Sequence, residues 1–208
     1  MENLQRIDHP IVQQKLGVLR NKDTRPSEFR QAMGEISRLV AYEATRDLEV
    51  TKEGVTTPIS KSEVTVVKNL PVIVSIMRAG NGMLETVMDL IPGASVGHIG
   101  IYRDKFINNT VEYYFRLPEN TAGKEIILLD PMVATGDTAM ACIERIKQCG
   151  VSKVKLVTLL ISKLALTRIN EEHPDVTTYC AEIESELDEN GYLLPGFGDV
   201  GSRLYFNN

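Results

Sequence analysis

The stretch that most constrains the fold is Glu125-Ile-Ile-Leu-Leu-Asp-Pro-Met-Val-Ala-Thr-Gly-Asp-Thr-Ala-Met140. Ile126 to Leu129 is a short, uninterrupted apolar run bounded by polar residues, the pattern of a strand buried on both faces of a parallel sheet. An acid follows abruptly at Asp130. Small and hydroxylated residues then run from Ala134 to Thr138, and a helical stretch from Ala139 to Lys147 carries Ala141, Ile143 and Ile146 on one face. The unit reads strand, loop, helix. Its loop lies at the carboxyl end of the strand, where the next helix begins with unpaired N–H groups and a partial positive charge, so a phosphate fits there. Gly136 lets the backbone approach closely, and the hydroxyls of Thr135 and Thr138 add donors. Asp130, at the strand tip, could accept hydrogen bonds from ribose hydroxyls beside that phosphate. The same residues would also suit an ordinary strand-to-helix loop capped by Asp137 or Thr138. Within this stretch there is neither a Gly-x-x-x-x-Gly-Lys-Ser/Thr nor a Gly-x-Gly-x-x-Gly, which weakens ATP-type and dinucleotide readings.

The chain as a whole, with 208 residues and 43% apolar content, can bury one sizeable core, and its length favours one domain. A net charge of −5 repels nucleic acid and anionic lipid, so a polyanionic ligand must be met by a local group of Arg and Lys. Three cysteines, Cys142, Cys149 and Cys180, show no metal-ligand spacing. Two of them fall on the helix after the central loop, where a small buried side chain is the expected role. Residues 1 to 8 lack a basic start followed by an apolar run, and no segment reaches membrane-spanning length, so a reducing cytoplasm is the expectation.

Taken in order, residues 11 to 20 form a short amphipathic piece, and a longer helix starts near Pro26-Ser27, since proline fits a first helical turn. Phe29, Met33, Ile36, Leu39, Val40 and Ala44 recur at three- and four-residue steps as one apolar stripe, read as core and interface. His9, before Pro10, is expected to pack or to cap. Residues 50 to 70 alternate like a hairpin. Pro71 to Met77 is a second buried strand, followed by the turn Arg78-Ala-Gly-Asn-Gly-Met83 and a helix from Leu84 to Ile91. An arginine at the tip of an internal strand is costly unless it meets an anion or reaches solvent. Ser95 to Tyr102 and Val111 to Leu117 read as strands of a hairpin with its tip at Asn108-Asn109; His98, on the first, is structural. Val154 to Ile161, Lys163 to Glu172 and Val176 to Ala181 complete a strand, helix, strand succession, which implies right-handed crossovers and a parallel sheet with helices on both faces. Ligands of such sheets sit outside the carboxyl ends of the strands, where Arg78, Arg103 and Asp130 would converge. The tail packs glycines and a proline around Asp199, with Tyr192, Leu193, Leu194 and Phe197 arguing for a folded loop.

Asp130-Pro-Met-Val-Ala-Thr-Gly136 resembles the phosphoribosyl pyrophosphate loop of type I phosphoribosyltransferases, and its Asp-Pro-Met start is similar to the uracil-specific branch, most relatives of other base specificity having two adjacent acids. The similarity extends to the His9-Pro10 arm, the Ala41-Tyr-Glu-Ala-Thr-Arg-Asp47 helix end, the Arg78-Ala-Gly80 turn and Gly191-Tyr-Leu-Leu-Pro-Gly-Phe-Gly-Asp-Val-Gly201, and so covers nearly all of the chain. It implies an α/β, Rossmann-like parallel sheet flanked by helices in a single domain over 1–208. The expected parts are an N-terminal arm and helix (1–48), a protruding β-arm (about 102–118) and a C-terminal uracil-binding hood (about 183–208). The implied activity is transfer of the phosphoribosyl group from phosphoribosyl pyrophosphate to uracil, giving UMP and pyrophosphate.

By the same resemblance Arg78, Arg103, Asp130 and Asp199 are the catalytic candidates. Phosphoribosyl pyrophosphate would be held by Arg78, Arg103, Asp130, Pro131, Met132, Val133, Ala134, Thr135, Gly136, Asp137, Thr138 and Asp199, with Lys105 at the root of the arm assisting Arg103. Uracil would be met through main-chain groups of Leu193, Gly198, Asp199 and Val200. Mg²⁺ is the implied cofactor, carried mainly by pyrophosphate and water. A homodimer or larger homo-oligomer and GTP as an effector are implied as well, with no nucleic acid or membrane partner. The chain departs from the family pattern at Asp137, where the family has glycine, at Ser202 for aspartate, at Val200 for alanine, and over Lys105 to Thr110. The alternatives are a transferase for another base, disfavoured by the single acid at Asp130 and by the hood, and an RNA-binding regulator, disfavoured by the absence of a basic run.

Overall fold

The computed structural model describes residues 3–104 and 109–205, apart from the side chains of residues 103, 104 and 109. The chain opens with β1 (Leu4–Arg6) and α1 (Pro10–Arg20). His9 caps α1: its Nδ1 accepts the Ile11 N–H at 3.2 Å, and Pro10 occupies the first turn, where its missing donor is not needed. α2 (Pro26–Ala44) also begins on proline, and its Phe29, Met33, Ile36, Val40 and Ala44 are buried at the expected steps. Leu39, expected in that stripe, is instead 36% exposed; it lies one residue, about 100°, round the helix from Val40, at the stripe's edge. β2 (Val50–Thr56) and β3 (Lys61–Val67) form an antiparallel hairpin outside the main sheet.

The remaining elements are β4 (Val72–Met77), α3 (Asn81–Leu90), β5 (Ser95–Asp104), β6 (Asn109–Arg116), β7 (Glu125–Leu129), β8 (Met132–Val133), α4 (Asp137–Lys147), β9 (Lys153–Ser162), α5 (Lys163–Glu172), β10 (Thr177–Glu184), β11 (Glu186–Leu187), β12 (Leu193–Leu194) and α6 (Val200–Tyr205). Among the described residues the main sheet has eight strands in the order β1-β10-β9-β7-β4-β5-β6, with β8 also paired to β9. All of these pairings are parallel except that of β6 with β5. Neither β1 nor β8 is legible in the sequence: each is too short to show a period, and each is a strand because β10 or β9 lies beside it. Cys149, expected on the helix after the central loop, lies past the end of α4, while Cys142 and Cys180 are buried.

Strand side chains alternate between two cores, as the pleat requires. Ile73, Ile127, Leu129, Val157 and Leu159 face α1, α2 and α3, whereas Val72, Val74, Ile126, Leu128, Val154 and Leu156 face α4 and α5. Residues at alternate positions are thus both apolar, which is why the strands read as continuous runs. The hairpin of β5 and β6 is an arm only in part. The two strands pair from Asp104↔Asn109 back to His98↔Arg116, and β4 accompanies β5 as far as Gly100. The arm expected over about 102–118 is therefore rooted as the antiparallel edge of the sheet, and its tip, including Lys105, falls outside the described residues.

Candidate active site

β4 leads outward through β5 on one side, and β7 leads outward through β9 and β10 on the other, so the winding of the chain reverses between β4 and β7. A crevice opens beyond the carboxyl ends of two strands at such a point. Arg78 immediately follows β4 and Asp130 immediately follows β7, and both line one cavity of about 260 Å³. The turn after Arg78 passes hard against β7. A Cβ on Gly80 would stand 2.5 Å from the Leu129 carbonyl oxygen and 2.7 Å from that of Ile76, so only glycine fits.

The opposite wall is the segment from Met132 to Ala139. The Pro131 carbonyl accepts the Leu159 and Leu160 N–H groups at 3.2 and 3.1 Å, and β8 then runs along β9. This pairing carries the loop outward at a fixed angle. Gly136 then turns the chain into α4 with φ +88°, a left-handed conformation that glycine adopts freely. Ala134, Thr135, Gly136 and Thr138 line the cavity just before and within the first turn of α4. The residue at the N-cap of that helix, Gly136, supplies no side-chain cap. Asp137 turns to α5 instead: Arg168 Nη1 donates to Asp137 Oδ1 at 2.8 Å and to the Thr135 carbonyl at 2.6 Å, and Thr135 Oγ1 donates to Asp137 Oδ2 at 2.9 Å.

Asp130 is 9% exposed. Burial pushes its carboxyl up to about 7, against the pull of a hydrogen bond from the Met132 N–H to Oδ1 at 3.4 Å. A carboxyl held in this way near neutrality takes up or releases a proton readily as charge and hydroxyl groups arrive beside it.

A second pocket of about 360 Å³ adjoins the first, with Met132 common to both. Its walls are Tyr192, Leu193, Leu194, Pro195, Gly198 and Asp199, from β12 and the loop that enters α6. Asp199 Oδ1 accepts the Ser202 N–H at 2.5 Å, so this carboxylate is tied to the start of α6 while its residue faces the pocket. Three arginines anchor the segment to the helical layer. Arg20 donates to the Gly196 carbonyl at 3.0 Å, Arg30 to the Leu204 carbonyl at 2.9 Å, and Arg203 to the Phe197 and Asn21 carbonyls at 2.9 and 2.7 Å. The Arg203 guanidinium also lies 4.2 Å from the centre of the Phe29 ring. Tyr205, at the end of α6, donates to the Arg78 carbonyl at 2.9 Å and so joins the hood to the turn after β4.

A sequence model described as uracil phosphoribosyltransferase matches residues 6–207. The chain belongs to the uracil phosphoribosyltransferase family. It is 44% identical to a uracil phosphoribosyltransferase of Legionella pneumophila over 200 residues, 96% of this chain and 94% of that one. It is 44% identical to one of Rhizobium leguminosarum over 206 residues, 99% of each. Among solved structures it superposes on a protein of Aquifex aeolicus with a TM-score of 0.91 and 32% identity over 97% of each chain. A hypoxanthine phosphoribosyltransferase of Staphylococcus aureus, at 12% identity, shares the fold with a TM-score of 0.51 over 76% of this chain and 77% of that one. The fold is therefore the type I phosphoribosyltransferase one that the central loop led us to expect.

As a uracil phosphoribosyltransferase family member, the chain places its sequence-expected site residues in four ways. Arg78, Asp130, Met132, Val133, Ala134, Thr135, Gly136 and Thr138 line the first cavity; Leu193, Gly198 and Asp199 line the second. Pro131 and Asp137 are not among the residues lining the first cavity, Pro131 being spent on β9 and Asp137 on Arg168. Val200 is 4% exposed in the core beneath the hood rather than in the pocket wall. Arg103 lies near the end of β5, opposite Thr110, with its side chain outside the described residues. Sequence reasoning missed Arg168, Arg203 and Tyr205. Each acts on backbone carbonyls or on a charge many residues away, and no local motif marks such a role.

Proposed function

We propose that this chain joins the phosphoribosyl group of phosphoribosyl pyrophosphate to uracil, releasing pyrophosphate and giving UMP, with the first cavity holding the sugar and its phosphates and the hood pocket holding the base. The observation that carries this reading is the adjacency itself. Arg78, Asp130, Ala134, Thr135, Gly136 and Thr138 line one cavity at the reversal of the sheet, and Met132 joins it to a pocket walled by Leu193, Gly198 and Asp199.

The reaction displaces pyrophosphate from C1′ while the sugar gains cationic character and uracil N1 approaches in line. Positioning and charge neutralisation suffice, and no side-chain nucleophile is required. The backbone N–H groups at the start of α4 and the Thr138 hydroxyl receive the 5′-phosphate. Asp130 accepts hydrogen bonds from the ribose hydroxyls and, as carboxylate, stabilises the cationic sugar. Arg78 faces the leaving pyrophosphate, and Arg103 closes on it from the arm. Main-chain groups of Leu193, Gly198 and Asp199 read the carbonyl and N–H edge of uracil, and the Asp199 carboxylate keeps that turn in shape.

Among the described residues no three His, Cys, Asp or Glu side chains gather as a metal-binding group, and Asp130 is the carboxylate that lines the cavity. With one carboxylate among the residues that line this cavity, Mg²⁺ would arrive on the diphosphate, where the ion offsets negative charge. Exposed apolar residues on the first two helices, Ile11, Val18, Leu39 and Tyr42, support a homo-oligomer.

The test is to incubate purified protein with phosphoribosyl pyrophosphate, Mg²⁺ and uracil, hypoxanthine or orotate in turn, with and without GTP. UMP from uracil, and little nucleotide from the other bases, is the expected result. Asp130→Ala should lower kcat by about 100-fold or more while circular dichroism stays unchanged. Near-normal turnover in that variant would remove Asp130 from the mechanism.

A further inference from the structure

The phosphate loop of this chain carries an acid at Asp137, one residue after the Gly136 turn, where an arriving phosphate dianion would be repelled unless that charge is cancelled. From the geometry we infer that Arg168 of α5 is the positioning residue that makes the loop competent for phosphate. It neutralises Asp137, draws that carboxylate toward α5, and fixes the Thr135 carbonyl. The inference rests on the reading of 134–138 as the 5′-phosphate site.

Three observations converge on α5. Arg168 bridges Asp137 Oδ1 at 2.8 Å and the Thr135 carbonyl at 2.6 Å with one guanidinium nitrogen. Ser162, the cap of α5, accepts the Ala165 N–H at 2.8 Å and donates to the Ala134 carbonyl. Ala165 lies directly beneath Gly136, so that a Cβ there would meet its own Cβ at 3.3 Å. The first two turns of α5 thus bind two consecutive loop carbonyls and support the turn that follows. With those carbonyls pointing toward α5, the N–H groups of the loop are left to face the cavity, as an anion site requires. The pair is partly shielded, with Asp137 19% and Arg168 32% exposed at the side chain, so the guanidinium acts on Asp137 through a medium less polarisable than water. In the free protein the Thr135 hydroxyl also spends its proton on Asp137 Oδ2, and Arg168 holds that oxygen's partner in place when the hydroxyl turns to the ligand.

The experiment is a double-mutant cycle of Arg168→Gln and Asp137→Asn. It is read by KM and kcat for phosphoribosyl pyrophosphate and, independently of turnover, by calorimetric binding of ribose 5-phosphate. In the Asp137 background, Arg168→Gln should raise KM for phosphoribosyl pyrophosphate and weaken ribose 5-phosphate about tenfold, with the uracil KM nearly unchanged. In the Asp137→Asn background the same change should cost less than about threefold, because no carboxylate is left to repel the phosphate. Arg168→Lys, which keeps the charge but cannot span both acceptors, should fall between, and it replaces Arg168→Gln should the latter fail to fold. Equal losses in both backgrounds, or an unchanged affinity for phosphoribosyl pyrophosphate in Arg168→Gln, would overturn the inference. If the wild-type protein made no UMP, the functional reading would fail, while the ribose 5-phosphate measurements would still decide the role of Arg168.

Discussion

Asp130 ties the free protein's stability to pH and, under the proposed mechanism, its activity as well. Its folded carboxyl titrates near 7, above the ordinary 3.8, because burial disfavours the charge. The unfolded chain releases this proton at lower pH than the folded one, so from about pH 4 to about pH 7 the native state binds the extra proton and loses stability as pH rises. Asp130→Asn should flatten that slope, and chemical denaturation at several pH values measures it. Under the proposed mechanism the same protonation would limit catalysis. If the carboxylate is the form that accepts the ribose hydroxyls, kcat/KM for phosphoribosyl pyrophosphate should climb with pH up to about 7 and level above it, a limb missing from the residual activity of Asp130→Asn. At this scale the sequence was informative where a residue's surroundings are its own strand. Asp130 and Arg78 follow buried runs, so their emergence at strand tips is a consequence of the pattern itself. The burial that raises Asp130 was not legible, since it comes from β9 and the loop folded back over the strand end.

Among elements, α6 shows how polar contacts can hold the segment that walls the second pocket. The C-terminal segment buries Leu193, Phe197, Val200 and Leu204 and is held as well by Arg20, Arg30 and Arg203 donating to carbonyls that link it to the helix layer. Arg203 gives up part of its hydration there, and burial lowers its proton affinity. Arg203→Ala should therefore cost about 1–3 kcal/mol of stability, since the Phe197 and Asn21 carbonyls lose their donor. It should also raise KM for uracil several-fold more than that for phosphoribosyl pyrophosphate; denaturant midpoints and steady-state kinetics read the two effects. The elements themselves were largely legible. The limits of α5 agree with the sequence, and the proline starts of α1 and α2 follow from local rules. The arm was not, because whether a hairpin projects or joins the sheet depends on how far β4 runs alongside it.

Across the whole molecule, the helical layer is pinned to the sheet at the end opposite the site. Lys155, fully buried on β9, donates to the Ala44 carbonyl at 2.7 Å, pairs with Glu125 Oε1 at 2.9 Å and reaches Asp47, which Lys153 also holds at 2.7 Å. Burial alone would raise the Asp47 carboxyl, but hydrogen bonds from Lys153 and Lys155 outweigh it and bring it to about 2. A depressed folded value stabilises the native state above the unfolded pKa, and this contribution fades as pH falls from about 4 to about 2. Asp47 is half exposed, so solvent screening keeps its share to about 1 kcal/mol or less, and Asp47→Asn should remove that share at neutral pH and little of it at pH 2. Lys155→Ala, which leaves Glu125 and Asp47 without their buried partner, should cost about 3–5 kcal/mol in urea titrations. The sequence by itself determined the strands, most helices, the strand-loop-helix unit at Asp130 and the family, because apolar period, proline starts and turn residues act over a few neighbouring positions. Only the tertiary structure decided that Asp137 is answered by Arg168, 31 residues away, that arginines fasten the hood, and that Asp130 sits where its proton is loosely held. Those outcomes depend on which distant backbones the parallel crossovers bring side by side, and charge and burial are properties of that assembly rather than of any local stretch.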